Sequence, residues 1–260
     1  MSAYGWMLAP LLIGFISLWI NWILGRQVLE RGVIFIDLAM AQMAAVGMLA
    51  MELWWPQYSS SLWWKMLAAS VVTFSMAGLL CFFEGRIKTH LEAFIGLFYV
   101  LAACAAMLLV AQQPHGKESI ESLLNGRLLW AQWQDIIPVL VIALAMLIVV
   151  RYRSAWLQGK AFYFLFAFAI PPLVINLGVY LEFASLIIPA LAVCYVTWQR
   201  KTAVGLAIGY IAMIAGFAAS LYWDWPIGPA VVFAMMWCAV VMVFGAQVRA
   251  LRQQDSAFNP

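Results

Sequence analysis

The sequence predicts an all-α, polytopic transmembrane helical bundle of about eight to nine spans, and three observations carry that expectation. The 260-residue chain is 67% hydrophobic and only 10% charged, with a mean hydropathy of +0.96. A soluble core cannot use that much apolar surface, whereas lipid can. The apolar residues fall into runs of about 20, the length that crosses a hydrocarbon layer as a helix. Lys and Arg gather between alternate runs, as the positive-inside rule requires, which puts the N-terminus outside and the C-terminus in the cytoplasm. The spans use the whole of residues 1–260, so a single membrane domain is expected with no room for a soluble one. The net charge of +3 gives no sign of nucleic-acid binding.

Taken in order, the expected spans are 5–24, 33–54, 63–83, 93–112, 134–150, 161–177, 180–198, 202–220 and 227–247. The first has no basic segment before it and reads as a span rather than a cleavable signal. Arg26 and Arg31 follow it. The second carries the acid Asp37 and the amide Gln42, with Ala41, Ala44, Ala45 and Gly47 small enough for close helix packing. A carboxylate in hydrocarbon is expensive and faces a bundle interior or a water-filled path, so Asp37 is expected to line a passage. The bland alternative is an ion pair with Arg31. The tryptophan-rich segment 54–64 marks a headgroup belt, and Glu52 beside it reads as an interfacial charge.

After the third span come Arg86, Lys88 and His90, read as surface residues. The longest polar connection, 112–135, contains helical spacing over 119–129, which predicts a short interfacial helix. Within it, His115 and Glu118 offer a candidate external metal or receptor-docking pair, set against a simple loop turn. Arg151, Arg153 and Lys160 follow the fifth span. Pro171–Pro172 and Pro189 are expected to break or kink the sixth and seventh, because each proline removes a backbone bond. Glu182 begins the seventh span, close enough to its end that a solvated position is as reasonable as a place on a pathway. Asp224, in DWPIGP, reads as a turn residue ahead of the last span. Cys81, Cys104, Cys194 and Cys238 are widely separated within apolar runs and read as packing residues. Neither histidine belongs to a zinc-protease or nucleophile motif, and there is no nucleotide-binding Walker sequence. No enzyme is therefore expected, and no cofactor bound by this chain.

Several stretches resemble the permease subunits of ATP-binding-cassette importers for zinc, manganese and iron. They are GRQVLERGVIFIDLAMAQMAAVG, AFIGLFYVLAA, ESLLNGRLLWAQWQDI, ASLIIPALAV and DWPIGPAVV, in that family's order. The resemblance implies a transported metal ion and a paired or homodimeric permease in a bacterial inner membrane. It also implies ATP bound by a separate cytoplasmic ATPase, and an extracytoplasmic solute-binding protein. Taken with the placement of the acids, it makes Asp37, Gln42, Glu182 and Asp224 the expected translocation pathway, and Asp37, Asp224, His115 and Glu118 the candidate metal ligands. Docking of the ATPase falls to the segment with Arg151, Arg153, Ser154, Ala155, Gly159 and Lys160, shorter than in the family.

The family's acid and histidine four apart on the second helix are replaced here. Asp37 and Gln42 are five apart, about 140° around a helix, and so do not share a face. Zinc prefers imidazole and thiolate, so this route suits oxygen and thioether donors better. A chelated metal is an alternative cargo. A stand-alone carrier or channel using Asp37 or Glu182 as a proton site, and a non-transporting scaffold, are the alternative classes.

Overall fold

The computed structural model describes residues 5–59, 61–87, 90–113, 116–195 and 201–258, and among them every regular element is helical. Ten α-helices follow one another: α1 (Leu8–Arg31), α2 (Ile36–Trp54), α3 (Leu62–Glu84), α4 (Leu91–Val110), α5 (Gly116–Asn125), α6 (Ile136–Tyr152), α7 (Ala155–Gln158), α8 (Ala161–Ala192), α9 (Lys201–Trp223) and α10 (Ile227–Phe258). Eight of them are long and apolar enough to cross a membrane, α5 and α7 being the exceptions.

The bundle has two chemically distinct ends. Trp54, Trp55, Trp63, Trp64, Trp130 and Trp223 are exposed at one, the tryptophan end. Arg26, Arg31, Arg86, Arg153 and Lys160 mark the other, the basic end. Helix α1 runs from the first to the second. It stops at Gly32, whose left-handed φ of 66° lets its N–H bond back to the carbonyls of α1's last turn.

Helix α8 departs from the expected pattern. The prolines do not divide it: the helix continues through Pro171, Pro172 and Pro189, and the break falls at Gly178 (φ 77°, ψ 161°). Tyr163, near its start, bonds Glu84 at the basic end, while Ala190 and Val193 lie beside Leu29 and Glu30 at the same end. Between them, Val174 and Ile175 share a cavity with Glu52, Lys65 and Arg127 at the tryptophan end. The 32-residue element is therefore a hairpin. Each limb of 14 to 17 residues is about 21 to 25 Å long at the usual helical rise. The two expected spans 161–177 and 180–198 are thus both present, joined by a one-residue turn instead of a loop. Residues 196–198 lie outside the described part.

The turn fits because glycine meets glycine. A Cβ on Gly178 would lie 2.3 Å from the Gly126 nitrogen, and one on Gly126 would lie 2.3 Å from the Leu177 carbonyl carbon. The Arg127 N–H donates to the Asn176 carbonyl across this contact at 3.1 Å. The polar connection thereby caps the hairpin. Its interfacial helix is α5, starting three residues before the expected 119 and followed by a short 3-10 turn, Leu128–Trp130. Arg127 in turn holds the buried Asp135 at 2.9 Å, fixing the start of α6.

Helices α1, α2 and α8 are the most enclosed and make the centre; α3, α4, α6 and α10 turn most of their apolar surface outward, as lipid-facing helices do. Small residues bring the central helices together. Gly25 sits against the Leu186 carbonyl and Gly47 against Ala68, with no room for a Cβ at either place.

Candidate functional site

Polar side chains converge where the three central helices meet. Asn21 lies in the second half of α1, Glu182 four residues into the returning limb of α8, and Ser185 one turn further on. The Asn21 amide donates to Glu182 Oε2 at 3.0 Å and to Ser185 Oγ at 2.7 Å. The Ser185 hydroxyl donates to the Glu182 carbonyl at 2.9 Å. Ser17, one turn before Asn21 on α1, and Asp37, in the first turn of α2, are also enclosed. Asp37, Glu182, Asn21 and Ser17 have no solvent exposure at all.

What distinguishes this cluster is what it leaves unpaired. Both oxygens of Asp37, Oε1 of Glu182, Oδ1 of Asn21 and Oγ of Ser17 have no hydrogen-bond partner among the described residues. Buried polar atoms are nearly always paired, and each exception costs about 1–3 kcal/mol. These five oxygens lie on the three central helices; those of Asp37, Glu182 and Asn21 are acceptors, while the Ser17 hydroxyl can also donate. Two of these groups, Asp37 and Glu182, are carboxylates with no exposure to solvent. Two like charges in a low dielectric repel strongly, and a cation or proton beside them relieves the repulsion.

The sequence-predicted residues separate into those the fold joins and those it does not. Asp37 and Glu182 belong to the cluster, which removes the solvated alternative for Glu182. Arg31 does not neutralise Asp37: it pairs with Glu84 instead. Gln42 is only half-buried and points to another side of α2. Asp224 is exposed at the tryptophan end with a left-handed φ of 52°, a conformation that Asp tolerates in turns. Glu118 is exposed on α5, and His115 lies outside the described residues. The expected ligand set Asp37, Asp224, His115 and Glu118 is thus not a single site: Asp37 is enclosed at the centre, and Asp224 and Glu118 are on the surface. No group of three or more His, Cys, Asp or Glu able to hold a metal occurs among the described residues.

Asn21, Ser17 and Ser185 escape a reading built on charge. The available signal was an asparagine in the middle of an apolar span, where an uncharged polar side chain also needs an interior partner.

One face of α2 connects the cluster to the tryptophan end. Asp37, Ala41, Ala44, Met48 and Glu52 recur at spacings of three and four, so they lie along one stripe. Midway, Ala44 and Met48 pack with Ala69, Ile175, Leu62 and Leu123 into an apolar plug. Beyond the plug is a small cavity lined by Glu52, Lys65, Ser119, Ser122 and Arg127, in which Lys65 pairs with Glu52. The stripe is closed toward the tryptophan end, and the acids are sealed off.

At the basic end, residues 151–160 are exposed except for Leu157. They form a short protruding turn around α7 that carries Arg151, Arg153, Ser154, Ala155, Gly159 and Lys160.

Together these features define a polytopic helical membrane protein with an acidic, oxygen-lined centre. Its fold is shared with a solved protein, PsaBC from Streptococcus pneumoniae in complex with Fab. The TM-score is 0.73 at 13% identity, over 92% of this chain and 91% of that one. A second structure, described as an inward-facing conformation of a putative metal-chelate type ABC transporter, gives a TM-score of 0.46 at 16% identity, over 93% and 77% of the respective chains. No protein-family model matches the sequence, and no curated protein matches it.

Proposed function

We propose that this chain is the permease subunit of an ATP-binding-cassette importer that carries a divalent transition-metal ion, or its chelate, across a bacterial inner membrane. The observation that carries this reading is the set of enclosed, unpaired oxygens on Asp37, Glu182, Asn21 and Ser17. A dehydrated cation supplies what those acceptors lack. The shared fold and the ordered sequence resemblance support the importer class.

By the positive-inside rule the basic end is cytoplasmic. A solute-binding protein then docks at the tryptophan end, over Asp224 and the 112–135 connection. Opening of the plug around Met48 admits the ion to the α2 stripe, and it pauses between Asp37 and Glu182. A partner ATPase, holding the ATP, grips the 151–160 turn and drives release to the cytoplasm. A second permease copy completes the pair. The donors in the cluster are oxygens alone. Such a set favours manganese or ferrous iron over zinc, which selects imidazole and thiolate.

The test is purification from native membranes followed by reconstitution into proteoliposomes. The expected result is co-purification of an ATPase with Walker motifs and Mn2+ accumulation that requires ATP. Proton-driven flux without ATP assigns the chain to secondary carriers; absence of flux in both conditions assigns it to scaffolds. Competition should rank Mn2+ and Fe2+ ahead of Zn2+, and the reverse order contradicts the oxygen-donor assignment.

A further inference from the structure

We infer that Arg31 is the strut that passes movement of the basic-end turn at 151–160 into the helices holding the acidic cluster; this rests on the importer reading above. Arg31 is the last residue of α1 and its side chain is only 15% exposed. One guanidinium nitrogen, Nη2, donates to two backbone carbonyls, Leu157 at 3.0 Å and Gly159 at 2.8 Å. These carbonyls flank the point where α7 ends and the chain turns into α8. Nη1 meets Glu84 Oε1, the end of α3, at 3.5 Å. The same carboxylate oxygen accepts from the Tyr163 hydroxyl at 3.1 Å. The guanidinium also lies over the Phe162 ring, 4.6 Å from its centroid, a cation–π contact that fixes its plane.

Two features make this more than a local tie. Apart from its continuity with α6 and α8, the turn is seated in the core through one side chain, Leu157, the only buried residue among 151–160. Arg31 grips its backbone, so the bond follows the position of the turn whichever side chains it presents to a partner. The strut also leads directly to the cluster. Asn21 is ten residues earlier on the same rigid helix. Asp37 is six residues later, past the tight Gly32 turn, with the start of α2 pinned where the Phe35 N–H donates to Glu92 Oε1 at 2.9 Å. A shift of the turn therefore bears on Asn21 through α1, on Asp37 across the short Gly32 link, and on α3 through Glu84. Arginine suits the task because its planar fork serves two acceptors and an ion pair at once, which an ammonium group cannot do in a fixed geometry. Arg31 is a positioning residue and touches no cargo.

The test uses the complex isolated from native membranes with its ATPase, in proteoliposomes with Mn2+ as the probe. The quantity read is Mn2+ taken up per ATP hydrolysed. Arg31→Lys retains the positive charge opposite Glu84 and preserves assembly. It should hydrolyse ATP at close to the wild-type rate while uptake per ATP falls at least fivefold. Arg31→Met should extend the loss beyond tenfold. Uptake per ATP unchanged in Arg31→Lys overturns the strut, even if Arg31→Met fails to assemble, and leaves the importer reading intact. Absence of ATP-dependent uptake in the wild-type complex overturns the importer reading itself.

Discussion

Replacing Asp37 with Asn should stabilise the purified protein and strongly reduce the proposed metal uptake. Two opposed effects come from one oxygen. In the closed bundle both Asp37 oxygens are enclosed without a partner among the described residues, and a second fully enclosed carboxylate, Glu182, belongs to the same cluster. An unpartnered buried polar group costs about 1–3 kcal/mol, more when charged. Removing the like charge recovers part of that cost, so thermal unfolding in detergent should move up by a few degrees. The same change deletes one of the two acidic donors of the enclosed cluster, and uptake should fall on the order of a hundredfold. Glu182→Gln should behave alike, with a smaller gain in stability because Asn21 already satisfies Oε2. A variant that loses stability and transport together would make Asp37 a structural residue. Unchanged uptake would remove it from the pathway.

The second large effect is expected at Gly178. A methyl group there would sit 2.3 Å from the Gly126 nitrogen and 2.5 Å from the Leu124 carbonyl oxygen. The residue also holds φ 77°, ψ 161°, a region that is essentially glycine's alone. Overpacking costs about 1–3 kcal/mol and the backbone conformation about as much again. The hairpin limbs then cannot close under the 116–135 cap, and the limb bearing Glu182 loses its register against α1. Gly178→Ala should reduce the yield of monodisperse protein severalfold, and Gly126→Ala (φ 72°) should reproduce the defect from the other side of the contact. Pro189→Ala should be mild, since the helix runs through that position unbroken. A severe proline variant beside a normal Gly178→Ala would place the pivot at the proline instead.

These two predictions also mark how far the residues alone disclosed the molecule. Helical spans, their alternation and the tryptophan belt follow from hydropathy and charge, because lipid imposes both on any chain that crosses it. Asp37 was visible for the same reason: a carboxylate inside an apolar run advertises itself. Glu182 was ambiguous, because its depth depends on where the preceding turn lies. That turn is a single glycine tucked beneath Asn125–Gly126, and no local signal distinguishes it from Pro171–Pro172 nearby. Prolines at 171, 172 and 189 are strong helix breakers in isolation, yet they persist within the helix here; the Ala167 carbonyl, which Pro171 leaves without its usual N–H, accepts from the Thr73 hydroxyl at 3.0 Å. Asn21 stayed hidden because a neutral amide barely dents a hydropathy average. Its role appears only when α1 is laid against the returning limb of α8. Asp224 and Glu118 are acids that the fold leaves at the surface, which their sequence context does not disclose, since sequence gives chemistry without depth.

The most direct test of the acidic centre is equilibrium binding of Mn2+ to the purified chain, comparing wild type with Glu182→Gln at matched folding. One ion per chain in the wild type, lost in the variant and poorly displaced by Zn2+, is the result expected of enclosed oxygens that share a cation. Equal Mn2+ binding by both proteins would show that the metal rests elsewhere and that the carboxylate pair is not its station.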